Sequence, residues 1–592
     1  ITVKGTVFDE TGAPMIGAGV TEKGTTNGTV TNVDGVYTIK VKADAQLLVS
    51  YISYATQTVD VSGQSTIDVS LLPDKNLLNE VVVIGYGTMK KSDLTGSVAS
   101  VSSKALENFK TGSVLDALGG QVAGVSVTSA DGTPGAGYDI KIRGVGTANG
   151  DASPLYIVDG FEVDDISFIA TQDVHSIEYL KDASASAIYG ARAANGVILV
   201  TTKSGREGRP QVTYNGSASY RVLSKRLETL TPYEFVALQI ENFPDYKTTY
   251  FNQGTDAAGN PYKYQSIDDY KNLSPDEYVD WQSEAFRPTW SQNHDVSIRG
   301  GTKSSQYSVS FSHFDENGIF TNSGYKKDNA RVKIFQKITK WLSFTGSLNY
   351  TNYERTGVGT GGSTLANLLR YRPVGGLKVS AHDLRYTAYD PTSEEDGTFD
   401  SNMINPIINA ENTDYSVSGE QWIGNGQLTF QIAKGLVFKT SGTYNVNYGR
   451  RDAFYHELTS QAYRSGGPWG ESTMNIDKRW QNTNTLSYKK IFNKTHTIDA
   501  MLGHEVSFRG SEYVKGQSKN ITFDDLGNDN LGLGTTPSLV DTYRDQSLRL
   551  SFFARGFYSY ADKDFTTLVT EPKLLFEYPD PNVQVLDADI CP

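Results

Sequence analysis

Thiols are all but missing from this chain: of its 592 residues only Cys591 is a cysteine. No internal disulfide can form and no thiolate metal cluster can be assembled, so the fold must hold by packing and hydrogen bonds. Such avoidance suits an oxidising compartment, where stray thiols mispair. Long apolar runs are missing too. No stretch of about 18 apolar residues is present, which excludes a helical membrane span. Basic residues are in deficit, 54 Lys and Arg against 67 Asp and Glu, for a net charge of −13. A chain of that balance is poorly suited to neutralising phosphates, and no nucleic-acid partner is expected.

What is abundant is glycine and tyrosine, 57 and 35 residues. At roughly 100–200 residues per domain the chain is multidomain. Residues 1–72 alternate short β-type runs (3–8, 36–41, 46–53) with turn signals at residues 9–14 and at Asp34-Gly35, the pattern of a small antiparallel sandwich. Residues 73–87 read as a linker that contains Glu80, Val81, Val82, Val83 and Ile84. Four β-branched residues between a carboxylate and two glycines make a short strand. It is either one more strand of a sheet or an extended segment left unpaired for a partner's sheet edge. Residues 88–205 form a mixed α/β unit: a short helix at 113–119, strands at 122–128, 140–144, 154–160 and 177–182, an alanine-rich helix at 183–189 and a final strand at 197–203.

From Gly205 the texture becomes period-2 alternation, in ten runs: 211–220, 293–299, 305–314, 329–336, 342–353, 426–432, 436–448, 480–488, 495–508 and 548–560. In one of them Tyr307, Val309, Phe311 and His313 share a face and Ser308, Ser310 and Ser312 take the other. Runs of this kind, rich in Tyr and Phe, are the signature of a transmembrane β-barrel, although a secreted all-β sandwich alternates similarly. Large plugged barrels close at about 22 strands. Ten strands ending in a proline-rich tail (566–592) that does not look like barrel suggest a truncated or frame-shifted product.

Sites of chemistry are few. Gly357-Val-Gly359-Thr-Gly-Gly362 matches a dinucleotide fingerprint, but the acidic residue that would follow on a parallel strand is missing, and a flexible loop is the default. Glu394, Glu395, Asp396 and Asp400, and Asp524, Asp525 and Asp529, lack EF-hand spacing and read as solvated charge. His294, His313, His382, His456, His496 and His504 are scattered singly, so no zinc site is expected. No Gly-x-Ser-x-Gly elbow is present. The expectation is a protein that is not an enzyme, with no catalytic residues, metal or cofactor. Tyr233, Tyr246, Tyr250, Tyr262, Tyr264, Tyr270, Tyr278 and Trp281 crowd the insertion at 223–291. They would stack on sugars, pack on a partner, or form the loop's own core.

The strings IRGVGT, PLYIVDG, VHSIEYLKDASASAIYGARAANGVILVTTKSG and EVVVIGYG closely resemble the plug domain and TonB box of TonB-dependent outer-membrane receptors, in particular the SusC/RagA-like branch of the Bacteroidetes. The Gly5-Thr-Val-x-Asp9 … Asp34-Gly35-x-Tyr37 pattern resembles the carboxypeptidase-regulatory-like sandwich, the usual appendage of that branch. The resemblance covers about the first 200 residues. It implies a mainly β protein: an N-terminal β-sandwich (1–72), a linker with TonB box (73–87), an α/β plug (88–205), the first part of a large antiparallel transmembrane β-barrel (206–565) and an atypical tail (566–592). The implied function is import of oligosaccharides or peptides across the outer membrane, with the N-terminal domain periplasmic. The implied partners are TonB with ExbB and ExbD, a SusD-like surface lipoprotein, the nutrient and outer-membrane lipid. Glu80, Val81, Val82, Val83 and Ile84 would contact TonB. Arg143, Asp159, Lys181, Asp182, Arg192 and Asn195, which lie in the matched strings, are expected to form a charge network within the plug or against the barrel wall. A siderophore- or cobalamin-type receptor is the nearest alternative, and a non-transporting surface binding protein the next.

Overall fold

The computed structural model describes residues 1–9, 12–25, 27–51, 54, 56–71, 81–84, 87–90, 98–106, 109, 113–129, 132–147, 150, 152–181, 189, 192–358, 364–389, 404–493, 495–560, 563–570 and 573–577. The chain divides into two compact units, Ile1–Val98 and Ala99–Pro592.

In the first unit β1 (Thr2–Phe8), β2 (Gly19–Glu22), β3 (Gly28–Val30), β4 (Val36–Lys40), β5 (Gln46–Ser50), β6 (Gln57–Asp60) and β7 (Val69–Ser70) form two sheets, ordered β4-β1-β7 and β3-β2-β5-β6. Alternation along β1, β4 and β5 buries Val3, Val7, Tyr37, Ile39, Leu47 and Val49 in a common core, as expected for a sandwich. The sandwich is not wholly antiparallel, because β7 runs parallel to β1. Gly5 permits that approach: a Cβ there would stand 1.7 Å from the Ile67 carbonyl oxygen. The Tyr37 hydroxyl donates to the same carbonyl at 2.8 Å, and burial, with the nearby Asp68, pushes the phenol up to about 12.

β8 (Val81–Ile84) and β9 (Gly87–Lys90) form an antiparallel hairpin, with Val81 opposite Lys90 and Ile84 opposite Gly87. The segment is the expected strand, but it is paired along one edge rather than single. Two residues separate the strands, the spacing at which hairpins close. Among the described residues its other edge has no strand beside it. Glu80 lies outside the described residues.

The second unit opens with β10 (Val98–Ser102), β11 (Val125–Ser129), β12 (Tyr138–Ile142), β13 (Leu155–Val158), β14 (Phe161–Val163), β15 (Val174–Leu180) and β16 (Val197–Thr202). Five of these make a mixed sheet ordered β10-β15-β16-β13-β14, and β11 and β12 pair separately. β16 is buried along nearly its whole length, which explains its continuous apolar run, Val-Ile-Leu-Val. β13 turns into β14 through Asp159 and Gly160, both left-handed at φ 50° and 92°, the conformation that Asp-Gly hairpin turns take. The short helix expected at 113–119 is a single 3-10 turn, Asp116–Leu118. The alanine-rich stretch at 183–189 falls, apart from Tyr189, outside the described residues.

All ten alternating runs are strands of one antiparallel wall: β17 (Gly208–Arg221), β18 (Thr289–Gly301), β19 (Ser305–Asn317), β20 (Gly324–Lys337), β21 (Leu342–Thr356), β22 (Thr413–Ala433), β23 (Leu436–Tyr455), β24 (Trp469–Phe492), β25 (His496–Ile521) and β26 (Gly534–Tyr560). The expected tail boundary at 566 differs from the structure. β27 (Lys563–Thr570) and β28 (Lys573–Glu577) both lie along β26, because Phe565, Thr566, Thr567, Val569 and Thr570 favour a strand. Residues 578–592 lie outside the described part.

The wall is inside out relative to a soluble protein. In β19 Val309 and Phe311 are 41% and 50% exposed while Ser308 and Ser312 are 7% and 6%. The register extends this across the whole wall. One row of cross-strand partners reads Val212, Ile298, Val309, Val332, Leu348, Gly424, Tyr444, Trp480, Phe508, Leu548. The row one residue away, on the other face, reads Thr213, Ser297, Ser310, Arg331, Asn349, Ile423, Asn445, Arg479, Arg509, Ser547. An apolar outer row over a polar inner row is what a barrel needs when lipid is outside. Aromatic pairs such as Tyr220 with Trp290 (5.1 Å between centroids) and Tyr350 with Trp422 (4.4 Å) sit on the outer face. Connections are short at one end (302–304, 338–341, 434–435, 493–495) and mostly long at the other (222–288, 357–412, 456–468, 522–533), the asymmetry of outer-membrane barrels.

Candidate gate between the plug and the strand wall

The polar inner row meets the small α/β unit through two ionic clusters. The first centres on Asp159, which the β13–β14 turn aims at the wall. Its carboxylate accepts from the Thr202 amide at 3.0 Å and the Thr202 hydroxyl at 2.5 Å. From β20, Arg331 Nη2 reaches Asp159 Oδ2 at 2.7 Å and Lys333 Nζ reaches Oδ1 at 3.0 Å. These side chains are 8–12% exposed. Burial alone would raise the Asp159 carboxyl, but Lys333, Arg331 and the Thr202 hydrogen bonds outweigh it and hold the group below the usual carboxylate range.

In the second cluster Glu162, on β14, pairs with Arg192 and lies 3.4 Å from Arg479 Nη1. Arg479 Nη2 reaches Asp164 Oδ1 at 2.5 Å, with Arg509 at 3.8 Å from the same oxygen. Arg192 also faces Glu505 of β25 at 3.6 Å, whose other oxygen accepts from Gln481 (2.8 Å) and Thr483 (3.1 Å). Both clusters thus set acids of the small unit against cations on the inner face of the wall, with Arg192 and Glu505 as the one reversed pair among them. Single hydrogen bonds accompany them: Ser310 to Asp173 at 2.7 Å, Asn329 to the Phe168 carbonyl at 2.8 Å and Lys327 to the Ser167 carbonyl at 2.9 Å. Ile423, the one large apolar residue of the inner row, packs into the small unit's hydrophobic core. The arrangement is a stopper held chiefly by discrete polar contacts. Such contacts exchange for water at modest net cost once a force separates them, unlike a contiguous apolar seam.

Of the six charged or polar residues expected to form a network, Asp159 and Arg192 are members. Lys181 instead donates to the Ala123 carbonyl at 2.7 Å and Asn195 to the Ser153 carbonyl at 3.4 Å, so each braces a loop of the small unit. Arg143 is exposed, at φ 58°, and its amide caps the Gly124 carbonyl. Asp182 lies outside the described residues. Sequence reasoning missed Glu162, Asp164, Arg331, Lys333, Arg479 and Glu505. The available signal was parity, since charges interrupt the small-polar side of otherwise alternating runs.

The aromatic insertion builds its own core. Tyr250, Tyr264, Tyr270, Val236 and Val374 are buried together, and Trp281 and Tyr371 join a second cluster with Leu368 and Leu384. The dinucleotide-like loop is described only at Gly357 and Val358, and residues 390–403, with the first acidic group, lie outside the described residues. Asp524 sits 2.8 Å from His456, which also meets Asp414 at 2.9 Å. Among the described residues no group of three or more His, Cys, Asp or Glu is arranged to hold a metal.

Comparison with known proteins accords with this architecture. Residues 90–197 match the TonB-dependent Receptor Plug Domain and residues 3–83 the CarboxypepD_reg-like domain. The chain is 38% identical over 378 residues to TonB-dependent receptor SusC of Bacteroides thetaiotaomicron, covering 61% of this chain and 35% of that protein. It is 31% identical over 585 residues to TonB-dependent receptor P26 of Formosa agariphila, covering 96% of this chain and 55% of the relative. Among solved structures, the RagAB peptide importer in its open-open state superposes with a TM-score of 0.68 at 27% identity, over 83% of this chain and 56% of that one. A regulatory-like sandwich, a plug and a barrel wall in that order define a homologue of the TonB-dependent receptors. Within them, the likeness to SusC and to the RagAB importer is consistent with the SusC/RagA-like branch. It spans about half the length of the Formosa agariphila relatives it matches and a smaller share of SusC.

Proposed function

We propose that this chain is part of an outer-membrane importer that takes up glycans or peptides and is driven by TonB with ExbB and ExbD. The observation that carries the reading is the pairing of a plug, clamped by two ionic clusters, with an apolar-outside wall. In this reading the wall sits in outer-membrane lipid and the sandwich in the periplasm. TonB adds a strand to the free edge of Val81–Ile84, with Glu80 beside it, gaining main-chain hydrogen bonds along the segment. No ATP is available at that membrane, so work arrives as a pull on the chain. The pull is transmitted to β10 and the plug, and the ion pairs to Arg331, Lys333 and Arg479 part as the plug shifts. A SusD-like surface lipoprotein caps the long-loop side, where the cores around Tyr270 and Trp281 offer a packed platform.

The test is Val82→Pro, which removes an amide donor and resists strand pairing. Capture by the periplasmic domain of TonB, and uptake of labelled oligosaccharide or peptide pools, should fall to background while the protein still reaches the surface. Unchanged uptake refutes the role given to this strand.

A further inference from the structure

Plug and wall line a half-open cavity of about 1150 Å³ on the long-loop side, where β17 ends at Arg221 and β21 nears its end at Arg355. Its size suits an oligomer rather than a single small metabolite. Most charges around it are already matched: Arg221 with Glu316, Arg192 with Glu162, and Arg479 with Asp164. Arg355 is different. It lines the cavity with Tyr325 and Tyr353, its side chain makes no hydrogen bond or ion pair among the described residues, and its Nε is buried without a partner. Arg549, which also lines the cavity, stands five strands further along the wall and makes no ion pair among the described residues. Of the lining acids, Asp165 takes donors from Ser167, and Asp116 takes the Tyr138 hydroxyl.

A half-buried guanidinium without an ion-pair partner among the described residues, beside two phenols, is a recognition group for a planar oxyanion, which its fork binds through paired hydrogen bonds. Neighbouring strands are about 4.8 Å apart, so Arg549 is too far along the wall to share one small anion with Arg355. We propose that the cavity binds a carboxylate-bearing oligomer, with one carboxylate on Arg355 and hydroxyl or amide donors of the same chain turned to Asp165. This rests on the importer reading and narrows its cargo. The carboxylate belongs to a uronic-acid sugar or to an acidic peptide, and the two sources are separable by experiment.

The full-length protein, purified in detergent, is titrated calorimetrically with oligogalacturonate, an Asp/Glu-rich peptide and neutral maltoheptaose. One acidic probe is expected to bind at least about tenfold more tightly than maltoheptaose, and which one binds names the source. Arg355→Gln should weaken that probe about 10- to 100-fold, and Arg355→Lys should keep part of the affinity, with both variants showing the wild-type heat-modifiable migration. Equal binding of maltoheptaose, unchanged affinity in folded Arg355→Gln, or no binding of either acidic probe to the wild type overturns the assignment. Uptake that depends on Val82 but favours a neutral sugar would leave the importer standing and this inference refuted.

Discussion

Asp159→Asn removes one negative charge from a site that holds two buried cations while keeping the shape of the side chain. The amide oxygen can still accept from the Thr202 N–H, now at 3.0 Å, so the turn itself should persist. What is lost is the partner of Arg331 and Lys333, whose side chains are 8% and 12% exposed. Breaking a buried ion pair by removing one member costs about 3–5 kcal/mol, because an uncompensated charge stays out of water. If that cost falls on the docked plug, opening of β13 and β16 becomes about 10²- to 10⁴-fold more frequent. Hydrogen exchange followed by mass spectrometry on the protein reconstituted in lipid reads this directly. Peptides over residues 155–163 and 197–203 should exchange faster by that factor, and residues 2–8 of the sandwich should not change. The sign with pH is fixed by the depressed carboxyl. The unfolded group titrates near 3.9, so the stabilisation is fully present above about pH 4 and is lost only as pH falls through the lower folded value. The difference between wild type and variant should therefore be flat from about pH 5 to 8 and shrink in stronger acid. Unaltered exchange in both plug peptides would refute the argument that this pair holds the stopper.

Other outcomes follow from the same contacts. Arg479→Gln should loosen the second cluster, raising exchange over residues 161–164 with little effect at 155–158, because the two clusters use different wall residues. Leu348→Arg places a charge in the apolar outer row and should cost about 2–4 kcal/mol of barrel stability, seen as lost heat-modifiable migration. Thr345→Arg, three residues along at a half-buried position of the inner face opposite Phe335 and Gln427, should be markedly milder, and equal damage would mean that the faces are misassigned. Gly5→Ala should unfold the sandwich selectively, since the Ile67 carbonyl leaves no room for a methyl group, and circular dichroism of the isolated sandwich peptide would then lack its strand signal.

The wall was legible in the sequence because period-2 alternation is local. Each of the ten runs carries its own signal, and the outward set Val309 and Phe311 needs no knowledge of neighbours. The plug strands were legible for a different reason, since continuous apolar runs such as Val197 to Val200 mark a doubly covered strand. The gate was less legible because its partners are far apart in the chain. Asp159 meets Arg331 across 172 positions and Asp164 meets Arg479 across 315, and no local pattern says which inner-row cation faces which acid. Lys181 shows the converse: among the described residues this charge within the plug strings serves a carbonyl. The pairing of Val81–Ile84 with Gly87–Lys90 was missed because the boundary between linker and α/β unit was placed at 87–88, inside the second strand.

The central claim is that the plug must part from the wall for cargo to pass. Asp173 and Ser310, whose side chains meet at 2.7 Å, are suited to a reversible lock, and the sole native thiol, Cys591, can be replaced so that it does not compete. In Asp173→Cys/Ser310→Cys, uptake should be abolished under oxidising conditions and restored by reductant, with surface levels unchanged. Equal uptake by the oxidised and reduced forms would contradict the account.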